Sequence, residues 1–234
     1  MITFRSKLIA TQVYIHIAFV IGLLALPLYI AIPAIVVQHI IFSGICGSVF
    51  YHRVVTHRNK IGKNMESVLL LVSILGASAS AIAWAGQHRK HHRYSDTDKD
   101  PHNPALRGKL RSYWQMSDDN SSIARYVPDL LRSSMYTFQH KHYFSILASA
   151  HIIGLLTLPL QIYWIVLVVP GFVMWFSGSM VNAFGHKQQQ PANNIILGVL
   201  LLGEGFHANH HEQPANPDFR HKFDLGHKLY RLLI

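Results

Sequence analysis

"LIATQVYIHIAFVIGLLALPLYIAIPAIVVQHIIFSGICGSVFY", residues 8–51, contains no Asp, Glu, Lys or Arg. A spanning helix needs about 20 apolar residues, so this run has room for two. Pro27 and Pro33 interrupt it near the middle, where a proline disfavours continued helix. The run therefore reads as a helical hairpin with spans at Leu8–Leu26 and Ala34–Val54. Residues 142–186 repeat the pattern, again without a charged side chain. Pro159, with Pro170 beyond it, divides them into spans at Phe144–Leu158 and Ile165–Ala183. The expected fold is all-α: an integral membrane protein with four transmembrane helices in two hairpins.

Composition agrees. Half of the 234 residues are hydrophobic and 14% are charged, against about 25% in soluble domains. The net charge is +10 with His neutral. Basic residues gather at Arg5 and Lys7, from Arg53 to Lys63, from Arg89 to Lys141, and after Lys187, while the hairpin tips LYIAIP and LPLQIYW carry none. By the positive-inside bias, both termini and the middle of the chain face the cytoplasm. Basic residues that track membrane edges also argue against nucleic acid as a partner. The N-terminal stretch has the basic tip and apolar run of a signal peptide, but no cleavage site follows it, so it reads as an uncleaved helix. Cys46, the single cysteine, excludes an internal disulfide and sits in an apolar run as a small buried hydrophobe.

Residues 65–87, MESVLLLVSILGASASAIAWAGQ, are also long enough to span. A span there would put the histidines before and after it on opposite sides of the bilayer. An interfacial or re-entrant helix is the better reading, its Gly76-to-Ala81 run suiting close packing. Residues 193–205 are too short to span and read the same way. The chain is expected to be one domain, 1–234: a hairpin at about 8–54, a cytoplasmic or interfacial cap at about 52–141, a second hairpin at about 142–186, and a C-terminal cap at 187–234.

Histidine is the outlier, with 17 residues. YHRVVTHR supplies His52 and His57, QHRKHH supplies His88, His91 and His92, and GEGFHANHH supplies His207, His210 and His211. H-x-x-H-H places three imidazoles on one helix face. His52 and His57, five apart, share no face of an ideal α-helix. All three clusters fall just beyond apolar segments on the expected cytoplasmic side. So many imidazoles suit two metal ions with positions left open, and neutral imidazole suits Zn, Cu, Fe and Ni.

In HRVVTHR, HRKHHRYSDTDKDPHN, VNAFGH and GEGFHANHH the chain resembles the integral-membrane fatty-acid desaturases, in particular the acyl-CoA Δ9 (stearoyl-CoA-type) branch. The resemblance extends from about His39 to Leu233. It implies a non-haem di-iron centre in the cap, held by His52, His57, His88, His91, His92, His186, His207, His210 and His211. Asn182 would hold a metal-bound water, and zinc could replace iron in a preparation. It implies O2 as co-substrate and a cis double bond, at Δ9, in a saturated chain of an acyl-CoA or acyl-lipid. Relative to the family the chain lacks a long N-terminal region, most of the C-terminal tail and a fused cytochrome b5-like domain. Electrons are then expected from ferredoxin or cytochrome b5 with its reductase, and the compact form points to a bacterial inner membrane.

The alternating Asp96, Asp98 and Asp100 are not an EF-hand loop, since Pro101 and Arg107 stand where Gly and Glu are required. They are expected to accept hydrogen bonds from ligating imidazoles. Gly44, Gly47, Ser48, Ser177, Gly178 and Ser179 are candidates to line an acyl tunnel or to pack helices. Trp114 is a weak candidate for substrate binding, because GKLRSYWQM around it departs from the family. Lys99, Arg107, Lys109 and Arg111 offer charge to CoA phosphates, lipid heads or an acidic carrier without individual roles. His16, His39 and His151 are expected to hydrogen-bond between helices, His140 and His142 to sit at the interface, His221 and His227 at the surface, and His102 to fix a loop. The rival readings are a related di-iron membrane hydroxylase or monooxygenase, and a non-catalytic metal-binding membrane protein.

Overall fold

The computed structural model describes residues 3–114 and 123–234 and is largely helical. Helix α1 runs Phe4–Ala25, and α2 runs Leu28–Thr56 after a break at Pro27. Helix α3, Lys63–Val72, tightens into a 3₁₀ turn at Ser73–Gly76 and is followed by α4, Ala81–Tyr94. Short helices α5 (Pro104–Arg107), α6 (Lys109–Tyr113) and α7 (Pro128–Leu131) lead to α8, Ser134–Thr157. Helix α9, Leu160–Phe184, then returns across the molecule. A two-stranded hairpin pairs β1 (His186–Lys187) with β2 (Gln190–Pro191) in antiparallel register. Three short helices complete the chain: α10 (Ile195–Leu200), α11 (His207–Glu212) and α12 (Leu225–Arg231).

Among the described residues, α1, α2 and α9 are long and apolar enough to cross a bilayer. The expected third span, Phe144–Leu158, is the C-terminal part of α8. That helix begins ten residues earlier than expected, and His140, Lys141 and His142 in its first half keep it out of this set. Spanning helices gain little from the hydrophobic effect against each other and rely on close approach. Gly22 provides one such contact: a Cβ there would lie 2.1 Å from the Trp164 ring. The core gathers Val49, Phe50 and Tyr51 of α2 against Val168, Val169, Val173 and Met174 of α9.

The second half of α2, His39–Thr56, is wound as a π-helix, with i→i+5 hydrogen bonding. The His57 amide donates to the His52 carbonyl at 3.1 Å, and the Thr56 hydroxyl to the Tyr51 carbonyl at 2.8 Å. This winding places residues five apart on one face, which reconciles His52 with His57.

Residues 65–87 are not one helix. α3 and α4 meet at an angle of 86°, and the small residues expected to pack helices form the corner, with Ala77 and Ala79 at φ 50° and 77°. Irregular backbone at membrane depth is tolerated only when its polar groups find partners in the protein. Here Gln12 of α1 donates to the Ala77 carbonyl at 2.7 Å and Tyr51 of α2 to the Ala79 carbonyl at 3.1 Å. The Tyr143 hydroxyl and Gln139 Oε1 of α8 accept from the amides of Ala79 and Ala81, each at 3.1 Å. Residues 193–205 form α10, capped by Asn194, and a turn.

Candidate metal centre

The end of α2, the second half of α4, the α9–β1 junction and α11 meet at one end of the helices. Nine imidazoles come together there in two groups. One holds His52, His57, His88, His92 and His210; the other holds His91, His186, His207 and His211. Within each group the potential ligand atoms lie within 4.8 Å of one another. In the first, His210 Nε2 is 3.0 Å from His52 Nε2 and 2.8 Å from His92 Nε2. In the second, His207 Nε2 is 3.1 Å from His186 Nε2 and 3.0 Å from His211 Nε2. The groups are neighbours: the rings of His92 and His211 stack at 4.3 Å. All nine residues expected from the sequence are therefore brought together.

Carboxylates orient three of these rings. His52 Nδ1 is 2.6 Å from Glu204, His91 Nδ1 is 2.8 Å from Asp100, and His186 Nδ1 is 2.9 Å from Asp96. A carboxylate accepts, so each Nδ1 carries the hydrogen and each Nε2 presents a bare lone pair to its group. His207 and His210 bury an Nδ1 without a hydrogen-bond partner among the described residues. Lone pairs from three orienting pairs, gathered with further imidazoles at 3 Å spacings, suit a shared cation better than each other.

Electrostatics point the same way. Burial pushes the pKa of His57, His207 and His210 well below the usual imidazole value, and the neighbouring imidazoles push further. His211 is lowered by the same causes. These rings are neutral at physiological pH, the form that binds metal. Burial alone would raise the Glu204 carboxyl, but His52, Arg53 and Ser48 outweigh it and hold it down to about 2. Asp100 is likewise held low against its burial, by His91 first.

Two of the three alternating aspartates thus meet imidazoles as expected, while Asp98 is exposed. Sequence reasoning missed Glu204 and Arg53. The Arg53 side chain is 1% exposed, and it donates to Glu204, Asp224 and the Pro217 carbonyl, each at 2.8 Å. The available signal was the acidic residue within GEGFHANHH.

A cavity of about 370 Å³ reaches this end from the first turn of α1, lined by Phe4, Leu8, Ala83, Trp84, His88 and Asn182 among others. A smaller inner cavity shares Trp84, His88, Gly178 and Asn182 with it and touches both groups through His52, His88 and His207. Gly47, Ser48, Ser177 and Gly178 line the inner cavity as expected of tunnel residues. Gly44 instead faces the side chains of Leu229 and Leu202, and Ser179 is buried. Trp114 packs on His16 and Trp175, at 5.0 Å and 6.4 Å between ring centres, and is absent from the described lining of either cavity. Gln115 and Met116 beside it lie outside the described residues.

Of the remaining histidines, His16 bonds Tyr113 at 2.9 Å, His39 the Leu200 carbonyl at 2.8 Å, and His151 Tyr163 at 2.7 Å. His102 is buried in the loop after α4, with its amide on Asp100 at 2.8 Å. His140 bonds Ser80 at 2.6 Å and His221 stacks on Phe206. His142 lies beside Phe138, and His227 beside Tyr230.

The fatty acid desaturase family profile matches residues 26–223. The chain belongs to the fatty acid desaturase family. It is 32% identical over 177 residues to the sn-1 stearoyl-lipid 9-desaturase of Anabaena variabilis, covering 69% of this chain and 64% of that one. It is 29% identical over 204 residues to the acyl-CoA Delta(11) desaturase of Trichoplusia ni, covering 77% and 57%. It is 28% identical over 200 residues to a hex-5-enoyl-[acyl-carrier protein] acetylenase of Moorena producens, covering 70% and 61%. The chain thus spans about three fifths of the length of the curated relatives it matches. As a desaturase-family chain with several long apolar helices, it is a membrane protein with a histidine cluster able to hold metal.

Proposed function

We propose that this chain desaturates a fatty acyl group: –CH2–CH2– with O2, two electrons and two protons gives –CH=CH– and two waters. The observation that supports the reading most is the pair of imidazole groups, both touched by the inner cavity, which shares Trp84, His88, Gly178 and Asn182 with the larger one. Nine imidazole nitrogens without a coordinating carboxylate suit a redox-active borderline ion, and two irons bound there would supply the oxidising power that an unactivated C–H bond requires. His52, His57, His88, His92 and His210 would hold one iron, and His91, His186, His207 and His211 the other. Asn182, which lines both cavities, would hold a metal-bound water. Glu204, Asp96 and Asp100 fix the tautomers of His52, His186 and His91.

The protein's other contributions are positional. Trp84, stacked on His88 at 5.0 Å, and the apolar cavity walls hold the chain and exclude water. The inner cavity, lined by Ser43 and Met174 among others, would set how far the chain penetrates and so which carbons face the metals. Relatives named for the 9-position favour a cis-Δ9 product. The topology is four spans, with α1, α2, α8 and α9 crossing, the α3–α4 corner re-entrant, and the termini and metal centre on the cytoplasmic side of a bacterial inner membrane. Residues 52–141 and 187–234 build the cap of a single domain. A ferredoxin, or cytochrome b5 with its reductase, delivers the electrons, and zinc can occupy the sites of iron-poor preparations.

The test is the fatty-acid profile of a host expressing the chain beside His210→Ala, read by gas chromatography and mass spectrometry with the iron content of both proteins. A monounsaturated acid lost in the variant, together with iron, is the expected result. A hydroxylated product would replace the desaturase with the monooxygenase reading. An iron-loaded protein that forms neither product with a reduced ferredoxin would overturn both.

A further inference from the structure

On the bilayer side of α1 and α8 lies a second hollow, of about 420 Å³, walled by Ala10, Thr11, Tyr14, Phe144, Ala148 and His151. Its walls are largely apolar: Tyr14 and His151 Nδ1 hydrogen-bond Tyr163, and His151 Nε2 is buried without a partner among the described residues. One cation marks its upper end, the exposed Lys7, with Nζ 5.8 Å from the Phe144 ring centre. This is the arrangement of a lipid molecule, charge at the membrane surface and alkyl wall below it.

The groove neighbours the 370 Å³ cavity. Along α8, His140, Phe144, Leu147 and His151 follow at intervals of four, three and four, which is one helix face. His140 lines the 370 Å³ cavity and the other three line the groove. An aromatic contact joins the two linings: Phe4, on the cavity wall, meets Phe144, on the groove wall, edge to face at 4.8 Å. Phe4 also stacks on His140 at 5.5 Å. It sits in the first turn of α1, and helix ends open at low cost.

We propose that the groove between α1 and α8 docks a phospholipid of the bilayer, and that the Phe4–Phe144 contact is the gate through which its acyl chain enters the metal-lined cavity. The inference rests on the desaturase reading for the fate of the chain and names its carrier, a glycerolipid rather than a soluble thioester. Charge supports that choice. A coenzyme A thioester would bring several phosphates to the mouth, yet Arg5 is the sole Lys or Arg among the described residues lining the cavity. A lipid phosphate needs only the surface cation that the groove supplies.

The experiment uses the full chain in nanodiscs containing phosphatidylglycerol with a diazirine in one acyl chain. Adducts are mapped by peptide mass spectrometry after irradiation. Ala148→Trp fills the groove. Ser149→Trp, at the next position along α8, also exposed and outside the described lining, is the control. Adducts on Thr11, Tyr14, Phe4 and Trp84 are expected in the wild type and the control. They should fall about tenfold in Ala148→Trp, since a filled site loses its packing contacts. Lys7→Gln should lower them about fivefold, the effect of one basic residue at an anionic surface. If Ala148→Trp does not fold, Ala10→Trp fills the same groove from the other wall. Adducts spread evenly over all exposed helix faces, or equal in both tryptophan variants, would overturn the proposal. The readout needs no turnover. Lipid adducts in the groove with an iron-loaded protein that never forms an unsaturated chain would sink the desaturase reading and leave the docking site standing.

Discussion

Glu204 offers the sharpest perturbation, because it joins the metal centre to the buried charge network behind it. Its carboxylate accepts from His52 Nδ1 at 2.6 Å, Arg53 Nη1 at 2.8 Å and the Ser48 hydroxyl at 2.5 Å. Glu204→Gln keeps the shape and removes the charge. Breaking a buried ion pair from one side costs about 3–5 kcal/mol. Arg53 keeps Asp224 at 2.8 Å and the Phe219 ring at 3.9 Å, so the cost should be near ~2 kcal/mol, a drop in Tm of about 5 °C. The amide also weakens the hold on the His52 tautomer, and losses of this kind lower metal affinity about 10- to 100-fold. The assay is iron retained per chain across a chelator series, with Tm measured in parallel. Asp224→Asn is the comparator, since it loosens Arg53 without touching His52. It should cost comparable stability and much less metal. A Glu204→Gln protein that retains iron as tightly as wild type, or an Asp224→Asn protein that loses as much, would refute the argument that Glu204 acts through His52.

Gly178 lines both cavities, and a Cβ there would meet nothing within 4 Å. Gly178→Leu should fold, retain iron and lower desaturation at least about tenfold by blocking the passage, read as product per iron. Asn182→Ala should leave iron content within a factor of two and reduce product formation by about 10-fold or more if Asn182 holds the proposed water. Asp129 gives a pH test away from the metals. Its burial would raise the carboxyl, but hydrogen bonds from Arg89 and Arg58 outweigh it and hold it at about 2, below the ordinary 3.8. Its contribution is therefore complete above the ordinary carboxylate range and lost as the pH falls through about 2. Asp129→Asn should lower Tm modestly at pH 7, since the carboxylate is 36% exposed, and the difference should vanish on titration towards pH 2.

Local spacing made much of the centre readable. His88, His91 and His92 lie within one helical stretch, as do His207, His210 and His211, so the chain itself sets their mutual distances. His52 and His57 were harder, because α-helical geometry separates positions five apart, and nothing in their sequence announces the π-winding that reunites them. The corner at residues 77–80 was hidden for a related reason. Ala77 and Ala79 are non-glycine residues at positive φ, a conformation the local sequence does not prefer. It is imposed by Gln12, Tyr51, Gln139 and Tyr143, contributed by three other helices. Glu204 was in plain view within a histidine motif, yet its role depends on Ser48, His52 and Arg53, about 150 positions away in the chain.

The two imidazole groups are unequal, and the inequality has a mechanical consequence. An ion held by five rings would have less room for a further ligand than one held by four. The inner cavity touches His52 and His88 of the larger group but His207 of the smaller, with Asn182 on the same wall. An alkyl chain occupying that cavity would meet residues of both groups. The carboxylates divide in the same sense. His186 and His91, in the four-membered group, each have their own aspartate from the loop after α4, while the five-membered group has Glu204 alone, anchored through Arg53 to the turn that caps α12. Loosening the Asp96–Asp100 loop should therefore release metal from the four-imidazole site first, at half the total stoichiometry, whereas removing the Glu204 charge that holds His52 should release it from the other. Asp100→Asn and Glu204→Gln, compared by iron per chain and by the double variant, separate the two: additive half-losses support two independently braced sites, and an all-or-none loss in either single variant would mean that the sites fall together.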